Sequence, residues 1–340
     1  MAAPGNETRG ATINSRRTRK ALLLLFSTLA LAFAIAACGD DEDEGDGGGD
    51  GGANGNLIQA NPDNADVEIT VGSKNFTEQF ILGEIYAQAL EAAGYTVKKD
   101  LNLGSEQIAL RSLRQGEIDA YPEYTSTALT SFFKMPPEEV PGDAQQAYEE
   151  SQDDFADLGL RAFPPTPFSS ANAVGLLTET ADQLGLETIS DLEGVSQDLV
   201  LAGSPECRQR IDCLLGLQEY YGLEFKRFTP VDIGLRYEVL DEGDADLSIL
   251  FTTDAQLSTD ADTYTILEDD QGVLPAGNVM FVAREEIVEE AGEDFAEVIE
   301  KVQENLTLEV MQELNARVDV DKEEPAAVAE DYLRASGYIE

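Results

Sequence analysis

The sequence predicts an α/β protein of two similar-sized lobes, and three observations carry that expectation. Short apolar runs of strand character alternate with amphipathic helical stretches from Asp66 onward. The rhythm stops at Phe163-Pro164-Pro165-Thr166-Pro167, a stiff crossover, and restarts after Val174. At 340 residues the chain has room for about two domains. Alternation on this scale gives each lobe a mixed, mostly parallel sheet flanked by helices. Two lobes joined by crossovers leave a cleft that can close on a ligand.

The N-terminus carries Arg16, Arg17, Arg19 and Lys20, then an apolar run from Ala21 to Ala37, then Cys38-Gly39. The run is 17 residues long, shorter than the roughly 20 that a spanning helix requires. A basic region, an apolar core and small residues before a cleavage point make residues 1–37 a secretory signal. Ile35-Ala36-Ala37-Cys38 also resembles a bacterial lipobox, which implies cleavage before Cys38 and lipidation of its sulfur. An uncleaved anchor helix would leave the protein on the same, outer side of the cytoplasmic membrane. Asp40 to Asn56 is nearly all Asp, Glu and Gly, too poor in apolar groups to fold. Residues 38–65 therefore read as the lipidated cysteine and a disordered, self-repelling tether.

Glu68 to Phe80 organises the first lobe. Ile69 and Val71 alternate as in a short strand, Gly72-Ser73-Lys74 breaks it, and a helix follows. Asn75 is the expected N-cap, with Glu78 completing a capping box. Ile81, Ile85, Tyr86, Ala89, Leu90 and Ala93 share one face, and Gly94 stops the helix. A Gly-Ser-Lys loop at a helix N-terminus gathers backbone N–H groups and a cation at one spot, which suits a carboxylate. An ordinary βα turn with a surface lysine is the plainer reading of that stretch alone. Further strands are expected at Tyr95–Val97 and Ile118–Ala120, with helices from Ser105 to Gly116 and near Gln145–Leu158. In the second lobe, strands are expected at Leu176-Leu177, Leu199–Ala202 and Leu247–Phe251, and helices at Ile189–Leu192, Cys213–Gly222 and Val231–Gly243. After Met280-Phe281-Val282-Ala283 the tail is helical and returns to the first lobe. The expected lobes are thus 66–171 with 278–340, and 172–277.

Composition narrows the function. Lys+Arg 22 against Asp+Glu 67 gives a net charge of −45, which excludes nucleic acid as a partner on electrostatic grounds. The chain has no histidine, so Ser-His-Asp and Cys-His nucleophile systems and His-ligated metal sites are excluded. No cofactor is expected. Such acidity also keeps a protein hydrated in strong salt.

Three motifs occur in order: Val71-Gly72-Ser73-Lys74-Asn75-Phe76-Thr77-Glu78-Gln79, then Tyr121-Pro122-Glu123-Tyr124-Thr125-Ser126-Thr127-Ala128-Leu129, then Leu267-Glu268-Asp269-Asp270 with Pro275. Together they resemble the substrate-binding proteins of osmoprotectant (glycine betaine/choline/carnitine) ABC transporters, from about Val67 to the C-terminus. The resemblance implies a type II periplasmic-binding-protein fold, a monomer that traps a small zwitterion at the hinge cleft, and delivery to permease subunits. A quaternary ammonium donates no hydrogen bond and is best held by aromatic faces. Its carboxylate wants charged and neutral donors, arginine above all. Carried over by position, the donors are Lys74, Thr127 and Arg210, with Arg208 a rival to Arg210. Of the cage rings, Tyr124 is present and Phe251 stands for a tyrosine. The position at Val174, in Asn172-Ala173-Val174, and the position near Gly277 have no ring. Tyr220, Tyr221 or Tyr237 could substitute, or be ordinary helix tyrosines. Cys207 and Cys213 depart from the family pattern, and in an exported protein they are expected to form a disulfide that pins the Arg210 loop.

Two lost rings favour, as the alternative, the same scaffold with another carboxylate-bearing ligand, such as an amino acid. Rivals of other classes are a carboxylate-dependent glycosidase built on Glu123 and Asp254, and an adhesion protein on an acidic stalk.

Overall fold

The structure, a computed structural model, describes residues 56–340. The expectations for the signal peptide, Cys38 and the tether up to residue 55 fall outside the described residues. Strands β1 (Glu68–Gly72), β2 (Thr96–Asp100), β3 (Ala120–Tyr124), β4 (Leu160–Ala162) and β5 (Ser169–Ser170) belong to a first sheet. Strands β6 (Asn172–Leu177), β7 (Val200–Gly203), β8 (Arg227–Pro230), β9 (Leu247–Phe251) and β10 (Tyr264–Ile266) form a second. The last strand, β11 (Gly277–Arg284), returns to the first. The orders are β2-β1-β3-β11-β4, with β5 also on β11, and β10-β6-β9-β7-β8.

Both sheets are mixed, and the expectation of mostly parallel pairing is narrowed to their βαβ portions. β1 pairs parallel with β2 and β3, and β7 with β8 and β9. β11 runs antiparallel to β3, β4 and β5, as β6 does to β9 and β10. The strands by which the chain passes between sheets are the ones that reverse direction, which apolar runs in sequence do not reveal.

The Thr77–Ala92 helix lies at the centre of the first core. Ile81, Leu82, Ile85, Tyr86, Ala89 and Leu90 are wholly buried between the sheet and the C-terminal helices Glu293–Gln303, Leu308–Asp319 and Pro325–Ala335. Gly94, with φ of +100°, turns the chain out of the helix as a C′ residue does. The second sheet has its own core, including Val174, Leu176, Leu201, Leu217, Leu247 and Ile249.

Several local expectations are corrected. The helix caps at Phe76, which is extended, and not at Asn75; no side chain caps it. Glu78 is drawn away to accept from the Tyr124 hydroxyl at 2.5 Å and from Asn315 at 3.0 Å. Leu57–Ala65, expected to be tether, packs on the first core: the Ile58 N–H donates to Tyr338 O, and Asn61 caps a 3₁₀ turn begun by Pro62. The proline-rich segment is no crossover. Phe163 and Thr166 donate to β11 carbonyls and Phe163 and Phe168 are buried in the first core, while three prolines without N–H groups keep the stretch from forming a regular strand. The chain crosses later, between Ser170 and Asn172. Val231–Gly243 is not one helix but a 3₁₀ turn, Ile233–Leu235, and a short helix, Glu238–Asp241.

At the return crossing, Gly277 sits against the Thr125–Thr127 turn. A Cβ there would fall 2.3 Å from Ser126 Oγ and 2.6 Å from the Ser126 nitrogen. Gly277→Ala is expected to lower stability by about 1–3 kcal/mol, the usual cost of overpacking. Urea unfolding checks this, and an unchanged midpoint would refute the tight approach.

Candidate ligand-binding cleft

A cleft lies where the β1 and β3 ends of the first sheet face the β6 and β9 ends of the second. It is lined by Lys74, Phe76, Tyr124, Thr127, Arg210, Arg236, Phe251 and Pro275, among others. Lys74, Tyr124, Thr127, Arg210 and Phe251, the five residues singled out in the sequence, therefore converge. The elements explain how. Lys74 and Phe76 occupy the turn from β1 into its helix, Tyr124 ends β3, and Thr127 stands in the helical turn that follows. Arg210 follows the 3₁₀ turn Pro205–Gln209, and Phe251 ends β9. Ends of strands at the switch between sheets are where α/β folds bind ligands.

The cations of the cleft are each held by a carboxylate. Lys74 Nζ donates to Glu123, a fully buried side chain that also accepts from the Tyr121 hydroxyl and the Tyr124 N–H. Burial lowers the Lys74 pKa below the ordinary lysine value, against the pull of Glu123. The Lys74 N–H is taken by Gln79 Oε1 at 3.1 Å, so that donor of the expected anion nest is already used. Arg210 donates to both oxygens of Asp212, at 2.8 and 2.5 Å, and its Nη2 lies 3.4 Å from Thr127 Oγ1 across the cleft. Glu106 is 3.6 Å from Nη1. Burial opposes the Arg210 charge, but Asp212, Glu106 and Glu123 hold its pKa above the ordinary arginine value. Arg208 instead lies over the Phe228 ring at 5.1 Å, outside the cleft.

The rings form a cluster of three. Phe76 meets Phe251 across the cleft with centroids 5.1 Å apart, and stacks on Tyr124 at 6.3 Å. These faces attract positive charge: Lys74 Nζ is 4.4 Å from the Tyr124 centroid, and the Arg236 guanidinium 4.0 Å from that of Phe251. Tyr124 is kept a neutral phenol, its pKa raised far above the ordinary value by burial and by Glu78. Asp254 fixes the other side, accepting from Arg236 Nη2 (2.9 Å), the Tyr237 hydroxyl (3.0 Å) and the Phe251 N–H (2.9 Å).

Phe76 and Arg236 were missed by the sequence reading. Phe76 stands in the first motif, two residues past Lys74, at a helix start where an aromatic residue ordinarily serves packing. Arg236 stood in a stretch read as helix and gave no signal. The candidate substitutes are placed elsewhere: Tyr220 is exposed, Tyr221 donates to Asp269 at 2.5 Å, and Tyr237 to Asp254. Val174 points into the second core, leaving Asn172 to line the cleft, and Gly277 has no room for a ring. Glu123 and Asp254 are saturated by structural partners and do not form an acid pair. Among the described residues no group of three or more His, Cys, Asp or Glu is placed to hold a metal, and no helix is long and apolar enough to cross a membrane.

Cys207 and Cys213 are joined by a disulfide that brackets Arg210, and both are buried in the second core. In the chain-entropy account, closing so short a loop contributes about 2 kcal/mol. Reduction, or the Cys207→Ser/Cys213→Ser pair, should lower the unfolding free energy by about that amount. A denaturation midpoint unmoved by reductant would contradict it.

Comparison with known proteins places this geometry. Residues 67–335 match the family model described as the substrate binding domain of ABC-type glycine betaine transport system. A glycine-betaine-binding protein of Pseudomonas aeruginosa is 33% identical over 277 residues, covering 78% of this chain and 87% of that protein. The ergothioneine transport permease/ergothioneine binding protein EgtU of Helicobacter pylori is 31% identical over 280 residues, covering 81% of this chain and 49% of that longer protein. A crystal structure titled as a glycine betaine/carnitine/choline ABC transporter superposes with a TM-score of 0.63 at 26% identity, covering 80% of this chain and all of that one.

Proposed function

Because the chain belongs to the family of substrate-binding domains of ABC-type glycine betaine transport systems, we propose that its cleft holds a small trimethylammonium carboxylate of the glycine betaine type. The family consists of extracytoplasmic solute receptors of ABC importers, working with membrane permeases, and not of enzymes. One observation carries the choice of ligand: a carboxylate clamp and a cluster of π faces meet in one cleft. Arg210 and Thr127, with Lys74, take the carboxylate, while Phe76, Tyr124 and Phe251 take the ammonium. Phe76 supplies a face that compensates one of the two missing rings. The lobes that close on the solute are 57–171 with 277–340, and 172–276.

A purified sample titrated calorimetrically with glycine betaine, choline, carnitine and proline tests the reading. Glycine betaine should bind in the micromolar range. Phe76→Leu and Phe251→Leu should each weaken it by about tenfold, the worth of one cation–π face. Arg210→Ala should weaken it by about a hundredfold or more, since it also leaves Asp212 unpaired. The alternative is another carboxylate-bearing solute, favoured by a cluster of three rings where four were expected. Silence for every trimethylammonium compound, with a proline response that still needs Arg210, would establish that alternative.

The receptor reading also gives residues 1–55 a role. They act as export signal, Cys38 lipid attachment site and tether, and the mature receptor works as a monomer at the outer face of the membrane. Incorporation of labelled fatty acid that disappears in Cys38→Ala is the expected result, and labelling that persists would refute the anchor.

A further inference from the structure

Arg210 has little left to offer a ligand. Its Nε and Nη2 are taken by the two oxygens of Asp212, and Nη2 also donates to Thr127 Oγ1 at 3.4 Å. Of the guanidinium N–H groups, those on Nη1 make no hydrogen bond among the described residues. The acid beside them is Glu106, whose Oε2 lies 3.6 Å from Nη1, an ion pair too long to be a hydrogen bond. The contact spans the cleft: Arg210 follows β7 of the second sheet, and Glu106 lies between β2 and β3 of the first.

Glu106 opens the helix Glu106–Gln115, directly after Ser105, and a carboxylate is favoured at a helix N-terminus. That account would suit an exposed side chain equally well. Glu106 is instead 5% exposed and lines the cleft. The other acids beside the clamp are committed: Glu123 accepts from Lys74, Tyr121 and Tyr124, and Asp212 from Arg210. Glu106 accepts no hydrogen bond among the described residues, and its charge acts on both cations of the clamp. Burial lowers the Lys74 pKa, and Glu106 joins Glu123 in opposing that fall.

A ligand carboxylate held by Arg210 must therefore come to Nη1, where Glu106 already stands. A charge-assisted N–H···O bond is about 2.9 Å long, so the two carboxylates would be no more than about 6.5 Å apart. Like charges at that distance, sheltered from water, cost about tenfold or more in affinity. The same charge attracts a ligand's cation. We propose that Glu106 is a specificity-determining residue, which competes with the ligand's carboxylate for Arg210 Nη1 and admits only solutes that bring a cation of their own. A plain carboxylate meets the repulsion uncompensated, whereas a zwitterion offsets it through its ammonium. The inference rests on the reading above, that Arg210 receives the carboxylate of a betaine, and adds the ground on which the cleft refuses anions.

The test is calorimetric titration of the full chain, before and after Glu106→Gln, with glycine betaine, choline and tert-butylacetate. The last has the shape of glycine betaine with carbon in place of the quaternary nitrogen, so it carries the carboxylate alone; choline carries the ammonium alone. In Glu106→Gln, glycine betaine should bind about tenfold more tightly, tert-butylacetate should gain at least as much, and choline should not gain. Glu106→Ser, which also removes the charge, should repeat that pattern, and Glu106→Asp, which keeps it, should not. Glycine betaine binding that is unchanged or weaker without the charge, or a gain shared equally by choline, would overturn the role of Glu106 and leave the receptor reading standing. Silence toward glycine betaine in all four proteins would overturn the betaine reading, and the role of Glu106 with it.

Discussion

The site depends on buried carboxylates that hold its cations in place. Lys74 rests on Glu123, Arg210 on Asp212 and Arg236 on Asp254. A buried ion pair contributes little net stability, because desolvating both charges offsets their attraction. What it gives here is position. Lys74 is held beside the Tyr124 face, and Arg210, its fork engaged by Asp212, is fixed at the cleft wall. Removal of any of these acids would leave an uncompensated cation beside the ligand, a costlier outcome than never having had the pair.

A second set of bonds ties the walls of the cleft to the far end of the chain. Asn315, on the Leu308–Asp319 helix, donates both to Glu78 on the central helix and to the Thr253 carbonyl beyond β9. Gln312, one turn earlier, reaches the Thr252 carbonyl. Burial raises the Glu78 pKa, while its hydrogen bonds, including those from Tyr124 and Asn315, oppose that rise. One carboxylate thus touches a ring of the cluster and a helix that grips the second sheet. The C-terminal helices, which add apolar packing to the first core, also brace the cleft.

How much of this was readable in the sequence follows from how each residue acts. Lys74, Tyr124, Thr127 and Arg210 stand at strand ends and turns, where motif order and backbone punctuation fix position, so their meeting in one cleft could be anticipated. Phe251 could be placed by its neighbours Thr252-Thr253-Asp254. Phe76 could not, because an aromatic residue at a helix start is ordinarily packing, and its partner across the cleft is 175 residues away in the chain. Arg236 was invisible for the same reason: its neighbours Phe251 and Asp254 come from the end of β9 and the turn after it. The capping box at Asn75 failed because Glu78 had a better use inside the core than at the helix end. The reversal of β6 and β11 within their sheets is a property of pairing, and pairing leaves little trace in a single run of apolar residues.

The Cys207–Cys213 link has a consequence in time. Disulfides of this kind persist outside the cytoplasm and not within it. A chain still inside the cell therefore carries Arg210 on an unlinked loop, held by Asp212 and by the 3₁₀ turn before it. The bracket around Arg210 therefore closes only after export, and the loop gains its covalent restraint outside the cytoplasm.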